Sequence, residues 1–97
     1  IAEINREKEI VNNRKKNEEI EKRRNSEIIN KYGRDVGQKL IDGYYWIGMT
    51  DKMARVSLGT PKDINRNVGS WGTHEQWVYS MDFMLYFENG ILESYQN

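Results

Sequence analysis

Few residues of this sequence are of the types that bind metals or activate nucleophiles. The chain has one histidine, His74, which precedes Glu75, and it has no cysteine. A zinc-protease helix needs a second histidine four positions after the first, so that two ligands share one face, but position 78 is Val78. The lack of cysteine excludes disulfides, thiolate ligands and a cysteine nucleophile. We therefore expect no metal site.

The carboxylates also lack an arrangement that favours hydrolysis. Four of them are candidates for a catalytic pair: Glu75, Asp82, Glu88 and Glu93. Such a pair needs a separation of about 5 to 10 Å across a cleft, and a globular part of about 60 residues leaves little room for one. The glycine-rich stretch 69–72 lacks the lysine and the following helix of a phosphate-binding loop. We expect a non-catalytic binding module without a cofactor.

Charge and hydropathy exclude two further classes of function. The chain has 15 Lys and Arg against 15 Asp and Glu, and its basic clusters at 14–16 and 22–24 lie among glutamates rather than on a basic face. We therefore expect no nucleic-acid partner. No apolar run approaches the ~18 residues of a membrane span. Because the chain begins at Ile1 rather than Met, we expect a processed product whose membrane association comes only from an upstream segment.

The first third of the chain differs in composition from the rest. Residues 1–32 lack Gly and Pro, and pairs such as Glu18 and Lys22 have the i, i+4 spacing that favours a helix. We predict a charged helical arm or linker over 1–32 and an α+β domain over 33–97. The arm is either a solvated helix or a docking helix for a partner or a second copy. A docking helix would bind through Ile20, Ile28 and Ile29, and docking on a second copy would form a homodimer.

Two short helices are predicted at the start of the second part. The first is indicated by an apolar face formed by Val36, Leu40 and Ile41. Thr50 suits an N-cap and Gly59 a C-cap for a second helix over 51–58. Its buried side is predicted to comprise Met53, Val56 and Leu58. The apolar segment 44–47 between the helices is expected to close the bottom of the core.

The remaining residues alternate between apolar and polar types, as strands do. This alternation predicts strands over 64–68 and 77–81, and Asn89-Gly90 predicts a hairpin because a type I′ turn needs positive φ at both central residues. The turn sets the predicted cross-strand pairs, Phe87 with Leu92 and Leu85 with Ser94. We predict an α+β fold with two short helices on one face of a three- to four-stranded antiparallel sheet, preceded by a long charged helix.

Several short motifs occur in order between residues 48 and 95. They are Gly48-Met49-Thr50, Val56 with Leu58-Gly59-Thr60-Pro61, Trp77-Val78-Tyr79, and Tyr86-Phe87-Glu88-Asn89-Gly90 with Leu92. Their order resembles the SmpA/OmlA family of BamE-like lipoproteins and the related β-lactamase-inhibitor-protein-like folds. The resemblance implies a non-enzymatic, protein-binding role in the bacterial cell envelope, in the periplasm or at the outer membrane. It also implies outer-membrane assembly proteins as partners.

The second part contains more aromatic residues than one sheet face can bury. On the predicted hairpin, the face opposite to the helices carries Met84, Tyr86, Ile91 and Tyr95. We predict that these residues bind a protein partner, together with Trp71 in a neighbouring loop and Arg66, which pairs with Glu75 at the surface. Alternatively, the N-terminal helix folds over that face. An edge strand over 62–68 or 91–95 is a further place where another chain could add a strand.

Two other functions are compatible with the same sequence. One is an inhibitor-like regulatory domain that docks on an enzyme through the same sheet face. The other is a cytoplasmic interaction domain tethered by its helix. An upstream lipid-attachment cysteine favours the envelope role, whereas a plain secretion signal favours the inhibitor-like role.

Overall fold

The fold is described by a computed structural model, which gives the backbone of residues 2–97 and the side chains of residues 16–97. The helices come first, and they are α1 (Ala2–Tyr32), α2 (Arg34–Ile41) and α3 (Asp51–Leu58). The strands follow, and they are β1 (Asp63–Gly69), β2 (Gly72–Ser80), β3 (Phe83–Glu88) and β4 (Ile91–Gln96). They form one sheet in the order β1-β2-β3-β4, with every neighbouring pair antiparallel. The predicted α+β class is confirmed.

The chain divides into two compact units, Ile1–Gly37 and Gln38–Asn97. In the first unit, α1 ends before Gly33, whose φ is +87° and whose N–H donates to the Ile29 carbonyl at 2.8 Å. A side chain at Gly37 would place its Cβ 2.9 Å from the Ile29 Cα. The start of α2 therefore approaches the end of α1 as closely as it does because Gly37 has no side chain.

The isoleucines of α1 differ in exposure. Ile28 is buried and Ile29 is half-buried, whereas Ile20 is exposed. Of the three positions predicted to dock on a partner, Ile20 thus carries most of the exposed apolar surface. In the described part of the chain, no helix combines the length and the apolar character that crossing a membrane requires.

The ends of α3 confirm the predicted helix at 51–58. The Thr50 hydroxyl accepts a hydrogen bond from the Met53 N–H at 3.1 Å, and Gly59 has φ +81° and donates its N–H to the Arg55 carbonyl at 2.9 Å. The predicted buried side is wrong in detail. Ala54 is the fully buried residue of α3, whereas Met53, Val56 and Leu58 are half-buried. A small side chain at Ala54 lets the helix backbone lie close to its neighbours.

The core of the second unit lies on the side of the sheet that Trp77 and Leu85 share, here called the core face. Its nearly inaccessible strand residues are Trp77, Leu85, Phe87 and Leu92. Arg55 of α3 lies over the Trp77 ring at 4.8 Å from its centroid. This contact places α3 on the core face, and the fully buried residues of the helical layer are Leu40, Met49 and Ala54.

The β3–β4 hairpin turns at Asn89-Gly90, as predicted. The φ angles are +52° and +80°, which suit a type I′ turn, and Phe87 pairs with Leu92. The Asn89 side chain accepts a hydrogen bond from the Thr73 N–H at 2.9 Å. A Cβ at Gly72 would overlap the Asn89 Oδ1. The turn is therefore tied to the start of β2.

Beyond this turn, the predicted register is wrong. A shift between Tyr86 and Phe87 inserts one extra residue in β4, so that Leu85 pairs with Tyr95 instead of Ser94. A one-residue shift moves every later side chain to the opposite face. Tyr95 therefore lies on the core face, where its ring is 5.1 Å from the ring of Tyr45.

Three apolar residues are more exposed than the sequence predicted. In segment 44–47, Tyr44 and Ile47 are 60% and 54% exposed, and it is Met49 that is buried. Met49 is held there because its carbonyl accepts from the Leu92 N–H at 2.8 Å. Met81, predicted in a strand, lies in the turn between β2 and β3 and is exposed.

Candidate protein-binding surface

The side of the sheet opposite to the core face, here called the outer face, carries a row of polar side chains across all four strands. The row is formed by Asn65, Gln76, Tyr86 and Ser94, which pair in register from β1 to β4. The Asn65 amide donates to the Gln76 Oε1 at 3.0 Å, and the Gln76 amide lies 3.4 Å from the Tyr86 hydroxyl. These contacts fix the side chains before any partner arrives.

Apolar atoms lie directly beside this row. Met84 precedes Tyr86 on the same face, and its sulfur lies 3.3 Å from the Gln76 amide nitrogen and 3.7 Å from the Tyr86 hydroxyl. Ile91 follows the turn opposite Glu88 and is exposed. The outer face thus combines a thioether, an aromatic ring and hydrogen-bonding amides.

An open cavity of about 320 Å³ lies on the outer face. The residues that line it are Asn65, Asn67, His74, Glu75, Gln76, Tyr86, Phe87 and Glu93. This volume is at the small end of ligand pockets in proteins. It therefore suits one inserted side chain of a partner rather than a large ligand.

Trp71 lies against His74, one of the residues that line this cavity. Its ring centroid is 5.2 Å from that of His74, and a Cβ at Gly69 would overlap the indole ring. The indole thus covers the bare backbone of Gly69 while remaining 53% exposed. A glycine at this position is what allows the ring to lie flat on the strand.

An acidic group adjoins the same histidine. The His74 Nε2 lies 3.5 Å from the Glu88 Oε1 and makes no hydrogen bond within residues 16–97. A hydrogen bond with Glu88 and the negative charge of that residue raise the pKa of Glu93, and His74 opposes the shift. Among the described side chains, no group of three or more His, Asp or Glu residues is placed to hold a metal.

The predicted site residues separate into two sets. Met84, Tyr86 and Ile91 lie on the outer face, and Trp71 contacts His74 of the same face. Tyr95 and Arg66 lie on the core face, the first because of the bulge and the second because it pairs with Glu75. The expectation that Tyr95 shares a face with Tyr86 is therefore wrong.

Sequence reasoning missed the central position of Gln76. It alternates with the buried Trp77, and this alternation alone places it on the outer face. From the sequence alone, a glutamine at such a position is expected to contact only solvent. The strand register shows that Gln76 lies between Asn65 and Tyr86 and bridges them.

Comparisons with known proteins give no match: no family model, no curated protein and no solved structure matches this chain. A functional proposal for this chain therefore rests on its own residues and on the geometry of the described part.

Proposed function

We propose that this chain is a non-catalytic protein-binding module whose second unit binds its partner through the outer face. The observation that carries the proposal is the contrast between the two faces of one sheet. Trp77, Leu85 and Phe87 are at most 2% exposed on the core face, whereas Gln76 and Tyr86 are half-buried beside an open cavity.

The composition of the outer face supports a protein as its partner. Aromatic residues and Met are enriched in protein interfaces, and Tyr86, Met84 and Trp71 supply them here. Hydrogen bonds from Asn65 to Gln76 and from Gln76 to Tyr86 and Met84 restrain these outer-face residues, so that little of their rotamer freedom is lost on binding.

We place this module in the cell envelope, with outer-membrane assembly proteins as its partners. The ordered motifs from Gly48-Met49-Thr50 to Asn89-Gly90 support this part, because they resemble the SmpA/OmlA family. Two short helices followed by an antiparallel sheet agree with the plan that the resemblance implies.

Site-specific cross-linking in the native cells tests the proposal. A photoreactive phenylalanine analogue replaces Tyr86 in the full-length protein, and the matched control carries it at Tyr44, which is exposed and lies outside the strands. We expect the probe at 86 to capture a discrete partner that the probe at 44 does not.

The identity of the captured protein separates the alternatives. Outer-membrane assembly proteins support the envelope role, and an enzyme supports the inhibitor-like role instead. Capture of a second copy of the chain, or equal capture from positions 44 and 86, contradicts binding of another protein through the outer face.

A further inference from the structure

The two edges of the sheet are completed differently. Along β4, the Gly48 N–H donates to the Leu92 carbonyl and the Leu92 N–H donates to the Met49 carbonyl, both at 2.8 Å. Thr50 forms a further bridge to Ile91. The segment before α3 thus covers the start of this edge, and the bulge in β4 distorts the remainder of it. Covering segments and bulges are both common ways in which proteins protect an edge strand.

No described residue outside the sheet forms a backbone hydrogen bond with the edge at β1. In the described part of the chain β1 pairs with β2 and is the last strand of the sheet, and Pro61 precedes the strand without interrupting it. Backbone groups on an uncovered edge are a template for another strand.

Hydrogen-bond alternation shows which groups point to this edge. The Asn89 N–H donates to the Thr73 carbonyl, so Thr73 directs its backbone groups toward β3, and His74 directs its own toward β1. In an antiparallel sheet, successive residues of a strand direct their N–H and C=O to alternate sides. Glu75 therefore directs its backbone groups toward β3, as Thr73 does. Arg66 pairs with Glu75 without backbone hydrogen bonds to it, so its own N–H and C=O point to the open edge. The same holds for Val68, which pairs with Thr73.

At the other end of β1, the Ile64 N–H is already used. It donates to the Asp63 carboxylate at 2.9 Å. The available ladder therefore consists of the backbone groups of Arg66 and Val68 with the carbonyl of Ile64.

We propose that β1 accepts an extended strand from a partner protein, with an acidic residue opposite Arg66 and apolar residues two positions to either side. This site is separate from the outer face and does not depend on it. The apolar positions face Val68 and Ile64, which flank Arg66 on the core-face side of the strand.

The charge of Arg66 selects the acidic residue. Its Nε and Nη2 contact Glu75 Oε2, and its side chain is 61% exposed. A guanidinium has five N–H donors, so Nη1 can bind a second carboxylate. Opposite charges placed across from each other stabilise strand pairs.

A second copy of this chain fits the edge less well. Antiparallel pairing of β1 with itself over its full length puts Arg66 of each copy opposite the other, and like charges directly opposite are destabilising. Shifting the register by two residues relieves the repulsion but shortens the ladder. Arg66 thus disfavours self-pairing and favours an acidic strand.

A peptide probe tests the proposal on the full-length chain. The probe is the acetylated and amidated heptapeptide Thr-Val-Thr-Glu-Thr-Val-Thr, and its control has Lys in place of Glu. Amide resonances of residues 64–68 report binding by NMR. We expect shifts confined to β1, and an affinity at least about fivefold higher for the Glu peptide than for the Lys peptide.

Two variants at one position separate edge pairing from other contacts. Val68→Pro removes an N–H that points away from β2, so the fold tolerates it at an edge, and Val68→Thr keeps that N–H. We expect Val68→Pro to weaken binding of the Glu peptide about tenfold while Val68→Thr binds like the parent chain.

Three results would overturn the proposal. They are no shift at about 1 mM peptide, equal affinity for the Glu and Lys peptides, and unchanged binding by the Val68→Pro variant in its folded state. Self-association of the chain that Val68→Pro abolishes would assign the edge to a second copy instead. The cross-linking experiment at position 86 tests the outer face, and the peptide experiment tests the edge at β1. A negative result in one experiment therefore does not decide the other.

Discussion

Arg66 holds the carboxylate of Glu75 at a flank of the core. The Arg66 Nε donates to the Glu75 Oε2 at 2.7 Å, and the Trp77 indole N–H lies 3.4 Å from the other carboxylate oxygen. Glu75 is 8% exposed and is the one buried charged side chain among the described residues. The negative charge of Glu75 is compensated by the guanidinium of Arg66 on the neighbouring strand.

Removing Arg66 leaves this buried carboxylate without its cation. We expect Arg66→Ala to lower the free energy of unfolding by about 2 kcal/mol, because an unpaired buried charge is costly although water reaches this flank. Glu75→Gln keeps a hydrogen-bonding group of the same shape and is expected to cost about half as much. Urea denaturation of both variants and of the double variant measures the coupling. Additive effects of the two substitutions would contradict a direct pair.

The N-cap of α3 stabilises the fold through a single hydroxyl. Thr50→Ala removes the acceptor of the Met53 N–H and is expected to cost about 1 kcal/mol, with no new cavity because Thr50 is only half-buried. Thr50→Ser restores the hydroxyl and is the matched control. Thermal or urea unfolding distinguishes them, and equal losses for Ala and Ser would mean that the methyl group matters more than the cap.

Features set by a few neighbouring residues were predictable from the sequence. Thr50 and Gly59 determine the ends of α3, and Asn89-Gly90 determines the hairpin turn, because each acts through its own backbone angles or through atoms within one helical turn. The outer-face positions of Met84 and Tyr86 follow equally directly from alternation.

Features set by distant contacts were not predictable. The sequence of β4 contains no glycine or proline that would indicate a bulge. The bulge places Tyr95 against Tyr45, which is distant in the sequence. The pairing of Arg66 with Glu75 was predicted, but the burial of Glu75 was not. That burial depends on the core packing around Trp77 rather than on the strand pair itself.

The bulge assigns different roles to two tyrosines that the sequence places together. Tyr95→Ala removes an edge-on ring contact with Tyr45 and is expected to lower stability by about 1 kcal/mol without changing capture of a partner through the outer face. Tyr86→Ala is expected to reduce that capture at a smaller cost in stability. Unfolding curves of the two variants, and their cross-linking yields with the photoreactive residue placed at Met84 on the same face, make the comparison. If Tyr95→Ala abolished capture in the folded protein, the assignment of faces to function would be wrong.

Tyr79 makes the stability of the fold sensitive to alkaline pH. Burial raises the pKa of Tyr79 to about 12, with the charge of Arg55 opposing the shift, and the Tyr79 hydroxyl donates to the Gly59 carbonyl at 2.8 Å. The unfolded chain loses this proton near pH 10, before the folded chain does. The stability that Tyr79 contributes is therefore complete below about pH 10 and is lost as the pH rises toward about 12.

Tyr79→Phe isolates this effect from the other groups that titrate at high pH. At about pH 9 the parent chain is expected to be more stable than the variant by about 1 kcal/mol, because the variant lacks the hydrogen bond to Gly59. Above about pH 10 this difference in the free energy of unfolding is expected to shrink steadily. Urea denaturation at several pH values measures it. A difference that stays constant up to about pH 11 would show that the folded protein does not retain the Tyr79 proton more strongly than the unfolded chain.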